Sequence, residues 1–291
     1  MKKYSWLLVL ISCTVMAQEE SVINFALGDC TISTLSEGQN VGNSSILLGT
    51  TPEMLQKHLP DGTFSLQVSA FLVKADDKNI LIDAGYGKKL FDNLKSRNTA
   101  PEQIDIILIT HMHGDHIGGL LHEGKAAFPN AQLYISQLEH DYWVNTQNGA
   151  QARNVIAAYK DKLHLFVPNE LGAENKISLL EDKSETMFKA IAAYGHTPGH
   201  TAFLIESNES QLLIWGDVAH ALPIQMPCPE VALSFDVNPE QAIKTRKEIL
   251  EYVSVNKIPV GGMHIEFPSI GDIKTDNGGY KFEPFCVCLG I

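Results

Sequence analysis

The sequence predicts a single α/β domain in which helices lie outside β-sheets. Short apolar stretches of strand length recur along the chain with helical patterns between them, which is typical of that class. A chain of 291 residues has room for one large domain or two small ones. Because no low-complexity tract, long charge run or obvious repeat interrupts the alternation, we expect one domain.

The predicted strands follow one another through the chain. Some alternate apolar and polar residues and others are continuously apolar, as in sheets covered on one or both faces. They are FALGDCTISTL (25–35), SLQVSAFLV (65–73), NILIDAG (79–85), IDIILIT (104–110), AQLYIS (131–136), TAFLIES (201–207), QLLIWGD (211–217), KIPVGGMH (257–264) and KFEPFCVCL (281–289).

The clearest helix is predicted to begin after Asn238. The Asn238 side chain can cap it, Pro239 fits its first position, and Gln241 can bond back as in a capping box. A second helix is predicted over residues 150–163. The apolar residues that share one face of the first helix are Ala242, Ile249, Leu250 and Val253.

Two segments rich in Gly, Pro, Ser and Asn, residues 37–64 and 221–237, are predicted to be long loops. Long loops in a compact domain often form lids or pocket walls. We therefore expect both segments to shape a binding site. Segment 37–64 is also the candidate interface of a homodimer.

The charge balance limits the classes of partner. The formal net charge is −12, and no cluster of Lys and Arg appears, whereas nucleic-acid binders usually carry a basic patch. An acidic surface also disfavours attraction to anionic lipid. The sequence therefore predicts a neutral or small polar substrate and no nucleic-acid partner.

The first 17 residues are predicted to be a signal peptide. Lys2 and Lys3 form a basic start, residues 6–15 form an apolar stretch, and small residues precede a cleavage point after Ala17. The apolar stretch is too short to remain as a membrane anchor. We expect a mature domain of residues 18–291 that has no stable membrane span and is periplasmic or secreted.

A second interpretation of this segment is a lipoprotein signal. Residues 10–13, LISC, resemble a bacterial lipoprotein box in which Cys13 would carry the lipid. Ordinary cleavage is the preferred prediction. Because cleavage removes Lys2 and Lys3, it changes the net charge from −12 to −14.

Four cysteines remain after cleavage, and their redox state is open. In an exported protein Cys30, Cys228, Cys286 and Cys288 could pair in three ways, or they could be small buried apolar residues. Cys286 and Cys288 share one face of a predicted strand without pointing at each other, so we expect no disulfide between them.

Residues 111–116 read HMHGDH, and four of these six side chains can bind a metal ion. His111 and His113 can point the same way in an extended turn. Gly114 allows a sharp bend before Asp115 and His116. The spacing therefore predicts that one pair of ligands binds one ion and the other pair binds a second.

Three later segments repeat this form, in which a ligand-type residue follows a predicted strand. AIAAYGHTPGHT carries His196 and His200, LLIWGD carries Asp217, and PVGGMH carries His264. One such residue alone is usually a cap or a turn residue. All of them in one chain, together with HMHGDH, predict a metal site.

With these motifs the sequence resembles the metallo-β-lactamase superfamily, whose pattern is H-x-H-x-D-H followed by a distant His, Asp and His. Within it the chain is most similar to the methyl parathion hydrolase and N-acyl homoserine lactonase group. The stretches that carry this resemblance are LGDCTISTLSEG, LIDAGYG, THMHGDHIGGL, FPNAQLYIS, YGHTPGHT, GDVAH, SFDVNPEQA with Arg246, and GGMHIEFPSIG. The resemblance implies a four-layer αββα sandwich.

The resemblance also implies a ligand set for two divalent metal ions. One ion would be held by His111, His113 and His196, and the other by Asp115, His116 and His264, with Asp217 bridging both. His196 aligns with the family's ligand, so His200 is expected behind it, and Asp83 aligns with a carboxylate that orients a ligating His. Zinc suits these nitrogen and oxygen ligands best, with manganese, iron and cobalt as alternatives.

The implied chemistry is hydrolysis of a lactone or carboxylic ester, N-acyl homoserine lactones among them. A hydroxide that bridges the two ions would attack the carbonyl, and Asp115 or Asp217 would carry the proton to the leaving alkoxide. The alternatives are a phosphotriester hydrolase of the methyl parathion type and a thioester hydrolase of the glyoxalase II type.

Two positions depart from the family pattern. His220 stands where many acyl homoserine lactonases have a Tyr that touches the substrate carbonyl, so it is either a replacement donor or a residue of the pocket wall. Ser269 stands where Gly is more usual, and we expect a local effect on its turn. Met226, Pro227, Phe267 and Trp143 are candidates for an apolar pocket wall, with plain core as the alternative.

Overall fold

The computed structural model describes residues 21–180 and 184–285. The strands are β1 Val22–Leu27, β2 Cys30–Asn43, β3 Leu47–Leu48, β4 Thr63–Ala75, β5 Lys78–Ile82, β6 Ile106–Leu108, β7 Leu121–His122, β8 Lys125–Ala126, β9 Gln132–Ser136, β10 Leu163–Phe166, β11 Thr186–Ala192, β12 Thr201–Ser207, β13 Ser210–Ile214, β14 Ala232–Leu233, β15 Val260–Gly261, β16 Ile270–Asp276 and β17 Gly279–Pro284. The α-helices are α1 Pro52–His58, α2 Leu90–Ser96, α3 Gly114–Ile117, α4 Gln137–Asn145, α5 Ala150–Ala158, α6 Leu222–Gln225 and α7 Pro239–Asn256.

The longer strands form two sheets. A seven-stranded sheet has the order β1-β2-β4-β5-β6-β9-β10, and a six-stranded sheet has the order β11-β12-β13-β15-β16-β17. The pairs β5–β6, β6–β9, β9–β10 and β13–β15 are parallel, and the other neighbours in these sheets are antiparallel. Two-residue strands pair separately as β3–β14 and β7–β8.

The two sheets face each other across an apolar core. Phe71 and Val73 from the first sheet pack in one cluster with Phe203 and Ile205 from the second. The outer face of the first sheet packs against α2, α4 and α5, and the outer face of the second packs against α7. This arrangement confirms the four-layer αββα sandwich that the resemblance implied.

Two predicted elements near the N-terminus are wrong. Residues 25–35 form two strands of a hairpin, because the chain turns at Gly28, whose φ is 54°. Most of the predicted loop 37–64 forms regular secondary structure. Residues 37–43 continue β2 along β4, and β3 and α1 follow. Backbone hydrogen bonds to β4 hold this polar stretch, which lacks a strong apolar pattern. A homodimer interface there stays a prediction.

The predicted helix over 150–163 is too long, because α5 ends at Ala158 and its last predicted residue begins β10. For α7 the predicted cap is confirmed, since Asn238 Oδ1 accepts a hydrogen bond from Gln241 N. The capping box is wrong, because the Gln241 side chain donates to Thr245 Oγ1. The four residues predicted on one face of α7 are all buried.

Cys30 and Cys228 are buried free thiols. The predicted signal peptide with Cys13, and the residues Cys286 and Cys288, lie outside the described residues. Within residues 21–180 and 184–285, no helix is long and apolar enough to cross a membrane.

Candidate metal centre

The predicted metal ligands meet at one end of the two facing sheets, where strands from both sheets reach their carboxyl ends. The ligands from the first sheet follow β6 or lie in α3, and those from the second follow β11, β13 and β15. Short loops after buried strands hold such side chains in place. In chain order they are His111, His113, Asp115, His116, His196, Asp217 and His264.

The first group of converging side chains consists of His111, His113, His196 and Asp217, whose ligand-type atoms all lie within 4.8 Å of one another. His113 Nδ1 is 2.9 Å from His111 Nε2 and 3.0 Å from His196 Nε2. Asp217 Oδ2 is 3.2 Å from His196 Nε2. Three imidazole nitrogens and a carboxylate oxygen therefore surround one point.

The outer nitrogens of two of these rings already have acceptors. His196 Nδ1 is 2.8 Å from Asp236 Oδ1, and His111 Nδ1 is 3.1 Å from Thr110 Oγ1. The Thr110 hydroxyl donates to Asp83 Oδ2, so it accepts from His111. Because a neutral imidazole that donates from one nitrogen has a lone pair on the other, His111 and His196 present lone pairs inward when they are neutral.

The second group consists of Asp115, His116 and His264. His116 Nδ1 is 2.7 Å from Asp83 Oδ2, and His264 Nδ1 donates to the carbonyl oxygen of Gln67 at 2.7 Å. Both rings thus turn Nε2 toward Asp115, with His264 Nε2 3.5 Å from Asp115 Oδ2. Asp83 takes the position behind His116 that the resemblance implied.

Asp217 touches both groups. Its Oδ1 is 3.2 Å from His116 Nε2, and its Oδ2 is 3.1 Å from His264 Nε2. His200 lies behind Asp217: its Nδ1 donates to Ala193 O, and its Nε2 accepts from the Asp217 backbone N–H at 2.9 Å. His200 therefore orients Asp217 and has no nitrogen left for a metal ion.

Unsatisfied buried polar atoms at the site indicate that it binds a cation. His116 Nε2 and Asp217 Oδ1 are buried and have no hydrogen-bond partner among residues 21–180 and 184–285, although they are 3.2 Å apart. Buried polar atoms are normally satisfied, and an unsatisfied pair marks a place for an ion or a water molecule. The donor set is imidazole and carboxylate without thiolate, which suits zinc and related divalent ions.

The pKa values follow from burial and from the surrounding carboxylates. Burial and the neighbouring His196 lower the pKa of His113 to about 3. Burial opposes charge on His196, but Asp217 and Asp236 raise its pKa to about 9. Burial would raise the pKa of Asp217, but His116, His264 and other histidines hold it well below its usual range. In the absence of a metal ion, protonated histidines of the cluster balance the negative charge of Asp217.

Two cavities meet at the metal centre, and His220 and His264 line both of them. One, of about 530 Å³, is lined by Tyr86, Phe235 and five of the seven ligand side chains, namely His113, Asp115, His196, Asp217 and His264. The other, of about 670 Å³, has a wall that includes Leu222, Met226, Pro227, Phe267 and Phe282. Of the candidate wall residues, Met226, Pro227 and Phe267 therefore line a cavity, and Trp143 does not line either one.

His220 lies between Asp217 and the larger cavity. Its Nε2 is 2.9 Å from Asp217 Oδ2, and its Nδ1 is buried without a hydrogen-bond partner in the part of the chain that the structure describes. Burial lowers the pKa of His220 to about 4, so the ring is neutral. Because a carboxylate only accepts, Nε2 carries the proton and Nδ1 is an acceptor. The sequence left His220 open as a donor to the substrate carbonyl or as a residue of the pocket wall, and donation from Nδ1 would need the other tautomer.

Three supporting groups were missed by sequence reasoning: Asp236 behind His196, the Gln67 carbonyl behind His264, and Glu139. Glu139 accepts hydrogen bonds from Met112 N and from Thr197 Oγ1. These contacts join distant parts of the chain, and only Asp236, in the stretch SFDVNPEQA, carried any signal in the sequence.

A model of the Metallo-beta-lactamase superfamily matches residues 64–256. The chain belongs to the metallo-β-lactamase superfamily. The matched range contains every predicted ligand except His264, which lies beyond its end.

Among curated relatives, the anti-Pycsar protein Apyc1 of Paenibacillus sp. (strain J14) is 30% identical over 149 residues, which are 47% of this chain and 55% of that protein. The probable metallo-hydrolase YqgX of Bacillus subtilis (strain 168) is 27% identical over 57% of this chain and 71% of its own. The match to Apyc1 thus spans about half of that relative's length.

Solved structures match over nearly the whole chain. The hydrolase AbOPH of the beta lactamase superfamily has a TM-score of 0.80 and 28% identity, and the match covers 93% of this chain and 99% of that one. The dizinc quorum-quenching lactonase AidC has a TM-score of 0.78 and 24% identity, with 92% and 98% covered. The likeness to AidC supports the fold.

Proposed function

We propose that the protein is a dinuclear metal-dependent hydrolase that cleaves a lactone or carboxylic ester. The observation that carries this proposal is the pair of ligand groups at the junction of two cavities, with Asp217 in the first group and in contact with His116 and His264 of the second. Superfamily membership and the similarity to the hydrolase AbOPH support hydrolysis. The fold shared with AidC, a lactonase, favours the ester or lactone bond.

The proposed ligands for two divalent ions, zinc first among them, are the seven residues that the sequence predicted. His111, His113 and His196 would hold one ion, Asp115, His116 and His264 the other, and Asp217 both. When bound, the ions supply an acidified water and a positive field for the charge that develops on the attacked carbonyl.

The remaining groups of the site have distinct proposed roles. Asp217 is surrounded by histidines, whereas the Asp115 side chain keeps 23% exposure and lines the smaller cavity. Of the two predicted proton carriers, Asp115 is thus the better placed to pass a proton to the leaving alkoxide. His220 orients Asp217 through Nε2, and its Nδ1 can accept a hydrogen bond from an N–H or O–H of the substrate.

The larger cavity supports a substrate with an apolar group beside the reacting carbonyl. Its wall contains Leu222, Pro227, Phe267 and Phe282, and it adjoins the metal centre at His220. Burial of an apolar group yields about 0.8 kcal/mol for each methylene. N-acyl homoserine lactones with long acyl chains and esters of bulky apolar acids both fit this description.

The test is a hydrolysis panel with zinc-loaded full-length protein. It contains acyl homoserine lactones, other lactones, aryl esters, a phosphotriester, a glutathione thioester and a cephalosporin. We expect turnover of lactones or esters, and loss of that turnover in Asp217→Ala and His116→Ala, which remove proposed metal ligands. His122→Ala, at an exposed position, is the matched control and should keep full activity.

Three outcomes would contradict the proposal. Turnover of the phosphotriester or the thioester alone would make the proposed bond type wrong. Activity that survives both ligand substitutions, or protein that binds no metal, would make the proposed mechanism wrong.

We also propose that the protein is exported after cleavage behind Ala17, on the strength of the basic and apolar pattern of residues 1–17. Mass spectrometry of protein from the native host should find a chain that begins at Gln18. A lipid-modified chain that begins at Cys13 would instead establish the lipoprotein alternative.

A further inference from the structure

Glu139 is a buried carboxylate that the proposed chemistry does not use. It lies in the first turn of α4 and is 1% exposed. Its Oε1 accepts from Met112 N at 2.9 Å and from Trp143 Nε1 at 2.5 Å. Its Oε2 accepts from Thr197 Oγ1 at 2.6 Å and from Gly199 N at 3.1 Å. Two backbone and two side-chain donors therefore satisfy this carboxylate.

Three of the four donors belong to segments that carry the three-histidine group, His111, His113 and His196, and the fourth, Trp143, lies in α4 with Glu139. Met112 lies between the first two of these histidines, and the segment containing Thr197 and Gly199 directly follows the third. The Trp143 ring packs edge-on against His113, with ring centroids 5.4 Å apart. Glu139 thus connects both chain segments that supply this group.

The second group, Asp115, His116 and His264, takes its support from other residues. His116 Nδ1 contacts Asp83, and His264 Nδ1 donates to the Gln67 carbonyl. The contacts of Glu139 are therefore confined to one side of the site.

We propose that Glu139 is a positioning residue that sets the metal affinity of the three-histidine group without affecting the second group. This inference rests on the proposed dinuclear function. Hydrogen bonds to a carboxylate are short and strong, and here they fix the two loops relative to each other before an ion binds.

The test measures Zn²⁺ affinity by competition with a chromophoric chelator, on full-length protein with one group disabled. In the His264→Ala background, which retains the three-histidine group, Glu139→Gln should weaken Zn²⁺ binding by about 10- to 100-fold. In the His113→Ala background, which retains the second group, Glu139→Gln should leave the affinity unchanged. If Glu139 only stabilised the fold, Glu139→Gln would lower the melting temperature and leave the Zn²⁺ affinity unchanged in both backgrounds.

Glu37→Gln is the matched control, because Glu37 is also a buried carboxylate. It accepts from Lys88 N and Lys89 N, and it contacts neither ligand group. We expect it to leave both affinities unchanged. Equal weakening of both groups by Glu139→Gln, or an unchanged three-histidine group, would overturn the proposal.

If Glu139→Gln does not fold, Thr197→Val tests the same proposal in its place. It removes one of the four donors and keeps the shape of the side chain. A smaller loss of affinity confined to the three-histidine group supports the proposal, and an unchanged affinity overturns it. Because Zn²⁺ binding is measured without substrate, these results stay distinguishable from failure of the hydrolysis panel.

Discussion

At the scale of single residues, Ser269 shows how one side chain holds a metal-site loop in an unfavourable backbone conformation. Its φ is 65°, in the left-handed region, and it is fully buried. Its Oγ donates to Ile265 O and lies 3.2 Å from Ser69 Oγ. The loop that it closes begins at His264. The departure from Gly that the sequence revealed is therefore compensated by hydrogen bonds.

We expect Ser269→Ala to cost more stability than Ser269→Gly. Both substitutions remove the hydroxyl and leave the partners of Ser269 unsatisfied, at about 1–3 kcal/mol. Only glycine relieves the left-handed strain, which is worth about 1 kcal/mol. Urea unfolding of zinc-loaded protein measures the difference, and a glycine variant less stable than the alanine variant would contradict it.

The ligand-type residues could be found from the sequence because most lie in local motifs directly after strands. The groups that orient them could not, because their contacts bridge large separations in sequence. His196 and Asp236 are 40 residues apart, Thr197 and Glu139 are 58 apart, and His264 and Gln67 are 197 apart. Only the folded sandwich brings these pairs together.

At the scale of elements, α7 holds the loop that carries His220. Arg246 on α7 is buried, and its guanidinium donates to the carbonyl oxygens of Val218, Pro229 and Val231. Burial lowers the pKa of Arg246 to about 10, which still leaves the side chain charged at neutral pH. One side chain therefore holds both ends of segment 218–231, which contains His220 and α6.

We expect Arg246→Met to destabilise the protein by about 3 kcal/mol, because it leaves the buried carbonyls of Val218 and Pro229 without their donor and removes one of the two donors of the Val231 carbonyl. It should also raise KM, since the His220 loop loses its anchor. Thermal unfolding and steady-state kinetics measure the two effects. Lys244→Met is the matched control, because Lys244 lies on the exposed face of α7; an equal loss there would contradict the argument.

The elements predicted well from sequence are those with a long periodic pattern or a cap. The apolar face of α7 and the strand at 201–207 are examples. Two-residue strands such as β15 are too short to show a period. The strand β10 was not predicted, because its pairing with β9 makes it a strand and its own sequence does not show one. The end of β2 was missed for the same reason.

At the scale of the whole molecule, the ligands come from both sheets, so a bound ion cross-links the sandwich. We expect chelation to lower the melting temperature, because zinc at about 1,000 times its Kd adds about 4 kcal/mol to the free energy of unfolding.

The pKa of His196 is raised to about 9 in the metal-free fold. The stability that this charged ring contributes is present below pH 6.5 and is lost as the pH rises through 9.

The gap in melting temperature between zinc-loaded and chelated protein should therefore widen from pH 7 to pH 9. The pKa values of His116 and His264 are also raised, so these rings likewise make the metal-free protein less stable as the pH rises. Calorimetry at fixed free zinc measures the gap. A gap that is constant or narrower at pH 9 would show that His196 is not charged in the metal-free protein.

The larger cavity allows the proposed substrate class to be tested through the shape of the whole molecule. Leu222, half-buried at the start of α6, lines this cavity, and Leu138→Trp on the exposed surface of α4 is the matched control. We expect Leu222→Trp to lower kcat/KM at least about tenfold, or 1.4 kcal/mol, for substrates with long apolar groups. Short substrates do not reach the added ring and should keep their rates. Equal losses for long and short substrates would mean that the apolar group binds elsewhere, whereas a loss that grows with chain length would place that group against α6.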